Sequence, residues 1–371
     1  MKFTASSQEL LKKLQIAHGA IGGGSVIPVL EDFLFSIQGS TLTITATDME
    51  TAITTTIQVQ SEVDGKMAVP SRILMDTLKA LPEQPVSFAL NDEKNALEIT
   101  SAYGKYKLAC DNPDDYPPIP EKDGMDSVTI SGLQLNRAIS NSLFATSNDE
   151  MRLAMTGVFV QIDPKKITFV ATDAHKLVRY SFSDIEGEAT ASFILPKKSL
   201  NLLKNAIPAS DKVVLSHSRV NAFFQCGDTN IICRLIDATY PDYNLVIPVN
   251  NPLKMIVNRS DFQNSLKRIA IYSNKTTNQV VLTIAEGSLT ISAQDLDFSN
   301  EATEQLSCQY QDTAMTIGFN AKFLVEMLGV ITSDEIRLEL EKPNKASILI
   351  PMDSDPAEDL LMLVMPVMLS A

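Results

Sequence analysis

The chain has few of the residues from which metal centres and covalent cross-links are built. Its 371 residues include three histidines and four cysteines. His18, His175 and His217 lie far apart, so a zinc ion has few candidate ligands. Cys110, Cys226, Cys233 and Cys308 show no CxxC spacing and read as reduced thiols of a cytoplasmic protein. No span approaches the ~18 uninterrupted apolar residues of a membrane helix. The opening MKFTASSQELLKKLQ lacks the apolar core of a signal peptide and reads as a strand leading into a helix. Positive charge is also scarce, with 31 Lys and Arg against 45 Asp and Glu and a net charge of −14. Taken whole, that balance argues against a nucleic-acid binder, because phosphates need a basic surface. No nucleophile elbow, HExxH or Walker pattern occurs. Gly22, Gly23 and Gly24 form no phosphate loop, since no Lys-Ser/Thr follows them.

What the chain has instead is a long-period repeat. LTITATDMETAI starts at Leu42, ITFVATDAHKLV at Ile167 and LTISAQDLDFSN at Leu289. Their aspartates, Asp48, Asp173 and Asp295, are 125 and 122 residues apart. VPSRILMDTLKALP from Val69, LPKKSLNLLKNAIP from Leu195 and FNAKFLVEMLGVI from Phe319 recur at nearly the same offsets. Each unit opens on a further matched segment, FTASSQELLKKLQIA from Phe3, TISGLQLNRAIS from Thr129 and VNRSDFQNSLKRIAI from Val257. LACDNPDDYPPIP from Leu108 and CRLIDATYPDYNLVIP from Cys233 close the first two. Four landmarks in one order point to a triplication.

Every unit has the same inventory. A short strand leads into an amphipathic helix, as Leu10, Leu11 and Leu14 show. Strands with period-2 alternation follow, then a second helix entered at Pro70, Pro196 or Asn320, then more strands. Pro82 and Pro208 mark where two of these helices stop. The expected architecture is α+β: three repeated domains, each with two helices and antiparallel sheet. The boundaries expected are 1–122, 126–248 and 252–371, with breaks at the Pro/Asp-rich run 112–126 and at 248–254. The recurring aspartates invite an enzyme reading as metal ligands or acid–base groups. A group that recurs once per unit sits far from its copies, and a turn Asp binding local backbone is the simpler role.

The repeat also resolves the charge conflict. The six helices predicted at 7–17, 71–80, 132–143, 197–206, 261–271 and 321–329 hold eleven basic and four acidic residues, a net +7, which leaves −21 for the rest. If the helices share one face, that face attracts phosphates while the exterior repels them. A peptide-binding hub that never meets DNA explains the apolar C-terminal run but not these basic helices.

These motifs resemble the bacterial DNA sliding clamps, the β subunit of DNA polymerase III, along essentially the whole chain. The sharpest landmarks are MKFT, VATDAHKL around Asp173, TYPDY at 239–243 and LVMPVML at 363–369. The resemblance implies a non-enzymatic processivity factor, a six-domain ring of two chains joined head to tail, encircling duplex DNA and tethering a polymerase. It implies no cofactor. Its partners would be DNA of any sequence, a second copy, the polymerase catalytic subunit and the clamp loader. Across the subunit junction it pairs Lys105 and Lys107 with Glu301 and Glu304, with Tyr106 and Tyr272 packing nearby. Candidate DNA contacts are Arg72, Lys197 and Lys198, then Lys12 and Arg152. The family's peptide cleft maps to Met155, Thr172, Ala174, His175, Lys176, Leu177, Pro241, Leu245, Val246, Ser347, Val364, Met365, Pro366, Val367 and Met368. Its methionines suit varied apolar guests, and its natural guest is a short extended peptide. Several positions depart from the family pattern. Ala174 stands where Gly is usual, Lys176 where Arg is, Met368 where a base is, and Gly24 where a basic residue is common. The Met368 departure implies weaker binding of a peptide carboxylate and a stronger apolar preference.

Overall fold

The repeat works by sharing sheets. The computed structural model describes every residue except 92–94, 123, 184, 188, 370 and 371, so the last two residues of the expected third domain lie outside it. Two compact units result: Met1–Leu133 with Lys198–Leu235, and Gln134–Lys197 with Ile236–Ala371. The middle repeat therefore contributes to both.

In the first unit, a five-stranded sheet runs in the order Gln60–Val63, Lys2–Ser6, Pro85–Asn91, Ala96–Thr100, Lys105–Ala109. Beside it an eight-stranded sheet runs Ser127–Ser131, Lys212–His217, Asn221–Cys226, Thr229–Arg234, Thr51–Gln58, Thr41–Thr47, Asp32–Gln38, Gly65–Pro70. Its centre is the antiparallel junction of first and second repeats, with Ile231 opposite Ile53 and Thr229 opposite Thr55. The second unit repeats the device. Its eight strands run Ala191–Pro196, Gly157–Asp163, Lys166–Thr172, Lys176–Phe182, Glu358–Val364, Ser347–Pro351, Glu335–Leu340, Leu253–Asn258. There Lys176–Phe182 pairs with Glu358–Val364, joining second and third repeats. A four-stranded sheet, ordered Asn300–Ser307, Ser288–Asp295, Gln279–Ala285, Met315–Asn320, completes it.

Six α-helices form where the periodicity predicts them: α1 (Ser7–His18), α2 (Ser71–Ala80), α3 (Gly132–Ser142), α4 (Lys197–Ala206), α5 (Arg259–Ile269) and α6 (Ala321–Val330). The largest departure is α5, which starts and ends two residues earlier than expected. Asn258 caps it by accepting the Asp261 N–H at 3.0 Å, and 270–272 tightens into a 3-10 turn. Side-chain oxygens of Ser6 and Asn320 cap α1 and α6 similarly, satisfying N–H groups that a helix start leaves open. Apolar faces of the helices lie on the sheets: Leu10 and Leu14 from α1, Leu74 and Leu78 from α2, Phe262 and Leu266 from α5 are all buried. The first unit's core holds Phe3 stacked on Phe88 with ring centroids 4.7 Å apart, and the second holds Phe159 stacked on Tyr240 at the same distance.

All four cysteines carry free thiols. Among the described residues, no helix is long and apolar enough to cross a membrane, and no cluster of His, Cys, Asp or Glu could hold a metal ion.

One buried carboxyl has a consequence for stability. Asp32 begins a core strand, is almost fully buried, and has one carboxylate oxygen without a partner. Burial first, then the charge and hydrogen bond of Asp111 and the charge of Glu31, push its pKa up to about 7. Folding thus favours its protonated form. That contribution is fully present below the ordinary carboxyl range near pH 4 and is lost as pH rises to about 7. Asp32→Asn, which stays neutral, should gain stability relative to the parent chain between pH 4 and pH 8. Urea midpoints at both pH values check this; a stability difference that does not change with pH would contradict it.

Candidate functional site

The three recurring aspartates are turn-formers. Asp48 Oδ1 accepts the N–H groups of Glu50 and Thr51 at 3.0 and 2.7 Å. Asp173 Oδ1 accepts those of His175 and Lys176, both at 2.9 Å. Asp295 Oδ1 accepts that of Asp297 at 3.2 Å. Each carboxylate fixes a hairpin between two strands, the simpler role that the recurrence suggests.

In the first unit, Arg72 on α2 and Lys12 on α1 are exposed. Lys198, the second residue of α4, ion-pairs with Asp48. Its ammonium lies beside the glycine loop, 3.9 Å from where a Cβ on Gly22 would sit. Gly24 has a left-handed φ of +76°, a conformation that side chains resist. Lys13, not singled out in the sequence, ion-pairs with Asp228. In the second unit, Lys197 donates to Asn148 Oδ1 at 3.2 Å, and Arg152 lies 3.5 Å from Asp149. The basic helical residues are thus only partly free. Lys198 and Arg152 have intramolecular carboxylate partners, while Arg72 and Lys12 form no ion pair among the described residues.

The expected cleft residues all belong to the second unit, but they differ in exposure. A buried floor contains Val170, Leu177, Ile194, Tyr240, Ala346, Ile348 and Leu363. Thr172, Lys176, Leu177, Ser347 and Val364 are buried with or behind that floor. They offer no free surface. Ala174, His175, Pro241, Leu245, Val246, Met365 and Met368 are exposed, with Leu245 at 83% and Met368 at 71%. Met155, Pro366 and Val367 are half-buried. The C-terminal segment is held by backbone: Met365 N–H donates to His175 O at 2.9 Å and Val367 N–H to Gly318 O at 2.8 Å. Gly318 is required there, since a Cβ would come within 2.7 Å of Val367 O and Leu369 Cδ2. Phe323 and Glu326, one turn apart on α6, also border this region, with Phe323 6.2 Å from the His175 ring. The helix periodicity marked Phe323 only as apolar, and nothing local linked it to His175.

Lys105, Tyr106 and Lys107 lie on an edge strand of the five-stranded sheet, and Glu301 and Glu304 on an edge strand of the four-stranded sheet. Tyr272 is exposed, and so is its neighbour Ile271. Glu304, expected at the subunit junction, also has a partner within its own chain. Arg268 binds its carboxylate through two hydrogen bonds, of 2.7 and 2.5 Å, and holds the acid below its ordinary pKa. Glu304 therefore has a cationic partner in α5 of its own chain.

The residue pattern and topology define a DNA sliding clamp, and comparison with known proteins narrows this. Three domain models match in order: the DNA polymerase III beta subunit N-terminal domain over residues 1–120, its central domain over 129–242 and its C-terminal domain over 244–367. The beta sliding clamp of Pseudomonas putida KT2440 is 29% identical over 98% of this chain and 99% of its own length. That of Pseudomonas aeruginosa PAO1 is 28% identical with full coverage of both. The crystal structure of the Pseudomonas aeruginosa DNA polymerase sliding clamp superposes with a TM-score of 0.94 at 26% identity, and that of the Thermotoga maritima DNA polymerase III beta subunit with 0.91 at 26%, each covering both chains in full. The chain belongs to the DNA polymerase III beta subunit family and is a sliding clamp, a processivity factor of DNA replication.

Ala174 is the departure with the clearest local effect, because its φ is +76°. A left-handed conformation costs a residue with a Cβ about 1 kcal/mol and costs glycine little. Ala174→Gly should therefore stabilise the chain by about 1 kcal/mol, read as a higher urea midpoint. An unchanged or lower midpoint would show that the turn bears no such strain.

Proposed function

We propose that this chain closes as a head-to-tail homodimer around duplex DNA, slides without reading sequence, and tethers the polymerase catalytic subunit and clamp loader through peptides held in the apolar cleft. The observation that carries this reading is a pair of leftover sheet edges. In the first repeat, strand 51–58 pairs with strand 229–234 of the second. The equivalent strand of the second repeat, 176–182, pairs with 358–364 of the third. The next in each series, 300–307 and 105–109, stand at open sheet edges. Joining strand 300–307 of one protomer to strand 105–109 of its partner repeats the junction a third time. Two such junctions close two chains into a ring and remove edges that otherwise invite aggregation. Exposed ion pairs contribute at most about 1 kcal/mol each, so backbone pairing and the packing of Tyr106, Ile271 and Tyr272 carry the junction.

Arg72 and Lys12 are the first phosphate contacts on this reading, with Lys198, Lys197 and Arg152 joining as phosphate displaces their present partners. Contact restricted to phosphates lets the ring move; readout of base edges would stop it. The working domains are 1–122, 126–248 and 252–371. The chain is a non-catalytic, cytoplasmic accessory subunit that uses no cofactor.

Two outcomes follow. Once placed on circular duplex by a clamp loader, the protein should stay bound, and cutting the circle should release it. Release that ignores DNA topology would favour a hub or groove-binder. Met365→Asp, which puts a charge among the exposed apolar side chains, should abolish binding of polymerase-derived peptides by calorimetry and leave dimer mass unchanged. Normal peptide binding would overturn the cleft assignment.

A further inference from the structure

Lys176 is the most constrained cation in the second unit. It is 5% exposed. Its ammonium lies 2.5 Å from Glu326 Oε2 and 3.6 Å from Asp173 Oδ2. It also lies over the rings of Phe323 and Phe144, 4.6 and 5.6 Å from their centroids. A buried cation is expensive unless its neighbours replace water, and here two carboxylates and two aromatic faces do so. The partners come from separate elements. Asp173 belongs to the hairpin turn of the second repeat, Phe144 to the short turn after α3, and Phe323 and Glu326 to α6 of the third. The same Phe323 ring lies nearly parallel to the imidazole of His175, at an interplanar angle of 21°, and the His175 carbonyl holds the Met365 N–H.

We propose that Lys176 is a specificity-determining positioning residue of the cleft. Its ammonium clasps α6 to the 172–176 turn, fixing Phe323 beside His175 as a preformed apolar wall, and is withheld from the guest. The cleft therefore rewards apolar anchors of an extended peptide and gives nothing for an acidic one. This rests on the cleft reading above. Met368, exposed at the end of the same segment, adds apolar surface in keeping with that preference.

The test uses the full-length protein and two synthetic peptides with blocked termini. One carries two leucines and a phenylalanine among neutral polar residues; the other has one of those polar residues replaced by glutamate. Calorimetric titration should show the glutamate peptide binding no more tightly than the neutral one. Glu326→Gln, which loosens the ammonium, should shift the ratio of affinities toward the glutamate peptide by about three- to ten-fold. Lys176→Met, which removes the cation and leaves Asp173 and Glu326, should shift the ratio the other way and weaken the neutral peptide. Lys176→Arg should restore neutral-peptide binding. A purely structural role would lower both affinities together and leave their ratio fixed, and that result overturns the proposal. So does a parent chain that prefers the glutamate peptide. If the parent chain binds neither peptide, the cleft reading itself falls and this inference with it; if it binds the neutral peptide but Glu326→Gln and Lys176→Met both keep its affinity and ratio, the cleft stands and only the clasp is overturned.

Discussion

The structure depends on backbone hydrogen bonds that one repeat cannot make alone. Each repeat builds two small antiparallel sheets, and each sheet ends in a strand whose outward N–H and C=O groups need partners. Twice the chain meets that need with its own next repeat, through 51–58 with 229–234 and 176–182 with 358–364. These pairings bridge about 180 residues of sequence and produce the two eight-stranded sheets. They also explain why the compact units cut through the middle repeat: its two sheets are each fused to a different neighbour. The same requirement is still open at 105–109 and 300–307, the two edges that the proposed assembly joins.

Charge is arranged on that frame with restraint. The helices are basic in an acidic chain, yet their Lys198 and Lys13, and Arg152 outside them, each have a carboxylate within their own unit. Exposed pairs of this kind are worth little, so on the proposed reading a DNA phosphate replaces the carboxylate at small net gain. A surface of exchangeable contacts holds a polyanion weakly at each point, which suits motion along it better than tight neutralisation. Arg268 of α5 and Glu304 of the edge strand make the opposite arrangement, a two-hydrogen-bond pair that offsets the strand's carboxylate. Backbone and aromatic packing are left to specify that edge.

Much of this was legible in the sequence because the signals are local and recur three times. Helical periodicity placed all six helices within two residues, since the apolar stripe and the flanking Pro or Asn residues act over single turns. The aspartates announced hairpin turns, and each accepts the backbone N–H groups its spacing predicts. The cleft proposed above rests on resemblance and on the methionines near the C-terminus, which the structure leaves exposed at Met365 and Met368. What local pattern could not convey was depth and partnership. Nothing in the ATDAHK segment says that Lys176 is buried while His175 beside it is exposed; that follows from Glu326 and Phe323 arriving from 150 residues away. The Arg268–Glu304 pair was missed for the same reason. Period-2 alternation tells which face of a strand is wet, but not which charged neighbour waits there.

The central claim is that the two open edges satisfy each other between copies. Sedimentation equilibrium at micromolar concentration tests it most directly, comparing the parent chain with a Lys107→Pro variant that removes an outward-facing ladder N–H from the 105–109 edge. The account predicts a parent mass near twice 40.6 kDa and a largely monomeric, folded variant. A monomeric parent chain, or a variant that dimerises as well as its parent, would contradict it.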